Sequence, residues 1–134
     1  MTSLATIRNT IAAHVATSFA TDRPTTVVYF ENTKEIDLDL EGDSFVLVVI
    51  DFTDIERLNI DSAPMTQCFG EVIVRVFTRE GLGVKDHLGL FDYVISILSH
   101  ASLTGLTLET ATPGPKQKSD GWMMTDILVP FHFF

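Results

Sequence analysis

Four histidines, one cysteine and a run of carboxylates are the side chains of this sequence whose types could do chemistry. A histidine metal centre needs a close pair on one helix face with a carboxylate beside it, as in HExxH. His14, His87, His100 and His132 form no such pair, and each reads as a structural histidine. Cys68 lies between Gln67 and Phe69 without a neighbouring base, so a buried, inert thiol is expected rather than a nucleophile. "GLG" at 81–83 is too short for a dinucleotide fingerprint and reads as a turn; no GxSxG or GxxxxGK[ST] is present. Glu35, Asp37, Asp39, Glu41 and Asp43 offer hard oxygen ligands to a divalent cation. Their spacing is not that of an EF-hand loop, which needs a glycine at its sixth position and a glutamate at its twelfth. They read as a solvated charged loop, or as an electrostatic lip that steers a partner or repels DNA phosphates. Lys116 and Lys118, in "PGPKQKSDG", form the one locally basic stretch. That stretch is an ordinary hairpin loop, or the counterpart of the acidic loop on the next subunit of a head-to-tail ring. No catalytic residue, metal or cofactor is expected.

Composition narrows the classes further. A chain of 134 residues is expected to form one domain, 1–134, and is long enough to build a real core. It is 46% hydrophobic with ten phenylalanines, yet no stretch approaches the ~18 apolar residues of a membrane span. The surplus must enter a core or a subunit interface. Eighteen acids against nine lysines and arginines leave a charge of −9, which disfavours nucleic acids and anionic membranes as partners, since both are bound through Lys and Arg. A lone cysteine fits synthesis in a reducing compartment. The opening "MTSLATIRNTIAAHVATSFA" lacks a positive residue before Leu4, and Arg8 breaks its apolar run, so it reads as mature structure rather than a signal peptide.

The elements follow from periodicity. Leu4, Ile7, Ile11, Val15 and Phe19 recur at helical spacing, with Thr2 or Ser3 as cap and "TDRP" as stop. "TTVVYF" is a strand by its β-branched and aromatic content. The acidic loop "ENTKEIDLDLEGD" is a linker or a short edge strand. "SFVLVVIDFTDIERLNI" and "MTQCFGEVIVRVFTRE" read as paired strands joined by a hairpin around Pro64. The second places Val72, Val74 and Val76 on one face and Glu71, Ile73, Arg75 and Phe77 on the other. A second helix carries Val84, Leu88, Phe91, Ile95 and Leu98 as its stripe, flanked by Leu90, Val94 and Ile97. A short strand "LTLETAT" and a final strand "WMMTDILVPFHFF" close the chain, with Met123, Ile127, Val129, Phe131 and Phe133 on one face of the latter. Phe131, Phe133 and Phe134 either finish a core strand or join an interface. The expected fold is α+β: a mostly antiparallel sheet of about four to five strands with two helices packed on one face. The other face must be covered, by the sheet curling or by a neighbouring subunit.

The helix "LATIRNTIAAHVATSF", the stretch "RPTTVVYFEN", the strands "SFVLVVIDF" and "GEVIVRVFT", the helix "VKDHLGLFDYVISIL" and the closing "GWMMTDILVPFHF" together resemble the tail terminator (tail completion) proteins of long-tailed bacteriophages. The likeness lies in length, acidity and element order over nearly the whole chain, without a diagnostic motif. It implies a structural virion protein without enzymatic activity, assembled in the host cytoplasm. Its homo-hexameric ring would cap the tail tube protein, end tube polymerisation and present the docking surface for the head-completion protein. DNA would pass through the ring without specific binding. Glu35, Asp37, Asp39, Glu41, Asp43, Lys116, Lys118, Phe131, Phe133 and Phe134 are the candidate interface or lumen residues. Two alternatives stand beside this reading: another head–tail junction or minor tail protein, and a dimeric ferredoxin-like α+β small-molecule binder or enzyme. The latter would place perturbed polar groups in a pocket beneath the sheet, with His14 or His87 the first to consider.

Overall fold

The computed structural model describes residues 3–31, 42, 44–60, 63–81, 84–103 and 105–133, with the side chains of 56–60 and 63–66 excepted. The first helix, α1, spans Leu4–Asp22. Ser3 caps it by accepting the Thr6 N–H at 3.1 Å, which satisfies one of the donors a helix start leaves open. It ends at Arg23, ahead of Pro24, and buries Ile7, Ile11, Val15 and Phe19, the stripe its spacing predicts. Strand β1 (Val27–Phe30) follows, then β2 (Ser44–Ile60), β3 (Ala63–Arg79), α2 (Lys85–Leu98), β4 (Ser102–Leu103), β5 (Leu106–Leu108), β6 (Thr112–Ser119) and β7 (Trp122–Phe133).

These strands form one sheet in the order β1-β2-β3-β7-β5-β4, with β6 also paired to β7. The expected sheet of four to five mostly antiparallel strands with two helices on one face is therefore corrected: the sheet has seven strands, is mixed, and curls into a half-barrel. Three features account for the difference. First, β1 pairs with β2 in parallel, Val27 opposite Phe45 through Phe30 opposite Val48, an arrangement a tight hairpin cannot make. Second, "TPGPKQKS" is a strand rather than a loop, paired with the first half of β7. Third, the second half of β7 pairs instead with β5, Leu106 opposite Phe133 through Leu108 opposite Phe131. β7 thus serves two successive strands along one edge while holding β3 along the other. Ile60 of β2 lies opposite Ala63 of β3, and Pro64 is inside β3, opposite Asn59, rather than in the connection.

Alternation sorts the sheet into two faces. On one face Val46, Val48 and Ile50 of β2, Val72, Val74 and Val76 of β3, and Ile127, Val129, Phe131 and Phe133 of β7 join the buried stripes of both helices in one core cluster. On the other, Phe45 stacks on Phe77 with centroids 4.3 Å apart, and Trp122 meets Phe45 edge-on at 5.0 Å. Phe45 is 0% exposed and Trp122 1%. One end of the second face is thus covered within the chain, while Leu47, Val49, Ile73 and Leu128 on that face are only half-buried. The helices are locked to one another by polar contacts as well. The His14 ring meets the Ile97 carbonyl oxygen at 2.7 Å, the Tyr93 hydroxyl lies 2.7 Å from the Ser18 carbonyl oxygen and 2.8 Å from the Asp22 carboxylate, and Phe19 meets Tyr93 edge-on.

The rotation of α2 also differs from expectation. It buries His87, Leu90, Val94 and Leu98, while Val84 and Leu88, expected in the stripe, are about half exposed at 51% and 48%. A purely apolar reading of the helix left His87 out of the buried set, and that residue fixes the phase.

Gly70 in β3 sits where no side chain fits. A Cβ there would fall on the Phe131 ring and on the Asp51 carbonyl oxygen, and the neighbouring Phe52 closes on Phe131 edge-on at 5.8 Å. Because one obstacle is backbone, shortening Phe131 would not relieve the clash. Gly70→Ala is expected to destabilise the fold by about 1–3 kcal/mol, as overpacked core sites do, and combining it with Phe131→Leu is expected to restore none of the loss. Urea denaturation of the single and double variants checks this; a neutral Gly70→Ala would show that the strand yields at this point.

Candidate functional site

Each residue singled out by its chemistry has a definite fate. Glu35, Asp37, Asp39, Glu41, Asp43 and Phe134 lie outside the described residues. Phe131 and Phe133 are 1% exposed and packed in the main core, so of the two readings of the terminal aromatics the structure takes the core one for this pair. Lys116 and Lys118 are exposed on β6, opposite Thr125 and Met123 of β7. Cys68 is 0% exposed, and burial pushes its thiol pKa up, away from the thiolate a nucleophile needs.

His14 and His87, the first candidates for a catalytic role, are both engaged in holding the fold. With a carbonyl oxygen as its partner, His14 must donate through Nε2. His87, 1% exposed at the start of α2, stands between two hydroxyls: its Nδ1 is 2.8 Å from Thr78 Oγ1 on β3, and its Nε2 is 2.8 Å from Thr125 Oγ1 on β7. A neutral imidazole donates from one nitrogen and accepts at the other, and a threonine hydroxyl can do either, so the three side chains satisfy one another. Burial, and after it the positive charge of Lys116, hold the His87 pKa below its ordinary value. The triad pins the first turn of α2 to two adjacent strands.

His100 and His132 are the pair that sequence reading did not bring together. They line a shallow surface depression of about 410 Å³ with Thr107, Leu108, Glu109, Thr110 and Pro130. His132 Nδ1 is 3.3 Å from Glu109 Oε1, and His100 Nε2 is 3.0 Å from Thr110 Oγ1. His100 has a left-handed backbone, φ 59°, just past the end of α2, a conformation uncommon outside glycine. Only the register of β5 on β7, Thr107 opposite His132, juxtaposes these groups; no local spacing announces them. The imidazoles are engaged by Glu109 and Thr110, and the depression is open to water, unlike the dry, convergent arrangement that acid–base catalysis uses. Among the described residues, no group of three His, Cys, Asp or Glu side chains is placed to hold a metal ion.

Two further polar features mark the face opposite the helices. Arg75 and Asp126, cross-strand neighbours, form a two-pronged ion pair at 2.6 and 3.1 Å. The Arg79 guanidinium stacks over the Trp122 ring at 4.1 Å, while the buried Trp122 Nε1–H finds no hydrogen-bond partner among the described residues.

His14 and His87 are thus engaged in holding the fold, and the described residues show one further surface feature, an extended one. β7 accompanies β3 only as far as Cys68, opposite Phe133, and β1 accompanies β2 only as far as Val48. Beyond Cys68 the pairs from Glu56 with Gln67 to Ile60 with Ala63 continue as a two-stranded arm, which adds about 17 Å at about 3.4 Å per residue. A bulge between Phe52 and Asp54, opposite Gly70 and Phe69, lies where the arm leaves the body and bends it.

No family model matches the chain, and no curated relative matches it. One solved structure, of a protein carrying no functional description, superposes with a TM-score of 0.75 at 14% identity, over 100% of this chain and 97% of that one. At that identity the likeness shows a shared fold alone.

The His87 triad gives a pH dependence of defined sign. The unfolded chain protonates this imidazole near pH 6.5, whereas the folded chain does so only at lower pH. Its contribution is therefore fully present above about pH 6.5 and is lost as pH falls from there through the folded pKa. The thermal midpoint is expected to drop between about pH 7.5 and about pH 5.5, and His87→Gln is expected to be less stable at the upper pH with a shallower slope. Equal slopes for the two proteins would remove His87 as the titrating group.

Proposed function

We propose that this chain is a structural virion subunit that forms a ring on the tail tube of a long-tailed bacteriophage. The ring ends tube polymerisation and offers the surface to which the head docks. The observation that carries this reading is the two-stranded arm. A lone two-stranded ribbon is marginal in water, and its open backbone edges are templates for another chain. A neighbouring subunit in a ring supplies the missing pairing. The small-molecule alternative draws no comparable support, since His14 and His87 are engaged in the fold and the His100–His132 depression is open.

The charge of −9 accords with the same role. A ring through which DNA must slide works best when its lumen gives phosphates no cation to hold. The mechanism is binding without covalent chemistry, and the partners are further copies of the chain, the tube protein beneath and a head-completion protein above.

Electron microscopy of the purified protein in negative stain, at low and high concentration, tests the proposal. Six-fold rings with a central hole, more abundant at high concentration, are the expected outcome. Compact monomers or two-fold dimers at every concentration, together with no binding to the ends of isolated tail tubes, would overturn it.

A further inference from the structure

The face of the sheet opposite the helices carries an apolar row between two unlike ends. Val49 of β2, Ile73 of β3 and Leu128 of β7 are cross-strand neighbours and only half-buried. Two residues along β3 in one direction, Glu71 stands opposite Asp51; two residues in the other, Arg75 stands opposite Asp126. We propose that this face is a two-fold contact, on which a second copy of the chain stacks its own sheet with the strands antiparallel and Ile73 at the axis. The contact uses one surface twice, whereas a head-to-tail ring joins two unlike surfaces. It therefore goes beyond the ring reading and does not rest on it.

Charge selects the partner and its direction. Like charges directly opposite one another in a sheet repel, and neither Asp51 nor Glu71 has an ion pair among the described residues. These two carboxylates call for a cation, and Arg75 of a second copy can supply it. Its Nε and Nη2 are taken by Asp126, but a guanidinium carries further N–H donors, and Nη1 takes part in neither bond. The arginine is also the outward member of its pair, with 40% of its side chain exposed against 18% for the aspartate. Antiparallel stacking about Ile73 exchanges the two ends, so that Arg75 of each copy lies over Glu71 of the other. Stacking with the strands parallel lays acid on acid, and repulsion disfavours it.

The apolar row gives the contact its hold. Sheets stack face to face about 10 Å apart with their side chains interdigitated. Val49, Ile73 and Leu128 of the two copies meet at the centre of the patch, where apolar surface leaves water most completely, and the charges stand on either side of them.

Charge exchange tests the contact. In full-length Ile73→Cys protein, with the buried Cys68 left in place, a short bismaleimide is expected to link two copies through the axis. Leu88→Cys, exposed on the helical side of the sheet, is the control. A head-to-tail ring does not bring two Ile73 side chains together, so the linkage reports the two-fold contact alone. Adding Glu71→Arg or Arg75→Glu to the Ile73→Cys protein, each checked for native circular dichroism, is expected to cut linkage about tenfold, because like charges then meet across the contact. An equimolar mixture of the two is expected to recover it, since each altered charge then faces its opposite. Linkage no greater than that of Leu88→Cys, or a mixture no better linked than its components, overturns the contact. Should Arg75→Glu fail to fold without its tie to Asp126, Glu71→Arg decides alone, and linkage unchanged by that reversal overturns the contact.

Discussion

The double pairing of β3 is the constraint on which the rest of this structure depends. From Cys68 to Thr78 the strand is bonded to β2 on one edge and to β7 on the other. A strand held on both edges cannot slip by one residue without moving its whole apolar set to the wrong face. Val72, Val74 and Val76 then address the helices, while Phe77 addresses Phe45 and Trp122. Gly70 belongs to the same constraint, because the Phe131 ring and the Asp51 carbonyl occupy the space a side chain would take. The helices are placed from this strand outward, α2 through the His87 bridge to Thr78 and Thr125, and α1 through its contacts with α2.

Where one periodicity dominates, the elements were legible in the sequence. The α1 stripe at Ile7, Ile11, Val15 and Phe19, the alternation of β3, and the shared face of Met123, Ile127, Val129, Phe131 and Phe133 were all readable, because each reports a local repeat. Pairings that depend on distant segments were not. "TPGPKQKS" has the composition of a loop, and only the long β7 beside it makes it a strand. The parallel β1–β2 pair was hidden for the same reason, since four residues of "VVYF" carry no mark of direction. In α2 the apolar residues go nearly all the way round, so the phase was set by a histidine that apolar counting ignores.

Much the same holds for the candidate site. The carboxylates and lysines were chosen for charge, and the lysines do stand exposed on a sheet edge. His100, His132 and Glu109 come together only through strand register, which leaves no trace in local spacing. The arm was readable as two strands but not as an overhang, because its length beyond the body depends on where β7 stops beside it.

The position of β7 has a consequence for how the chain reaches this state. Its partner β3 is separated from it by α2, β4, β5 and β6, and the register that sets Arg79 opposite Trp122 also sets Cys68 opposite Phe133. Such non-local pairing raises the contact order, and loop-closure entropy must be met before any β3–β7 rung forms. The β2–β3 hairpin, by contrast, can zip locally within microseconds. Folding is then a race in which an early, greasy hairpin waits for a distant strand. During that wait its unpaired edges are the surface through which two unfinished chains would most readily find each other.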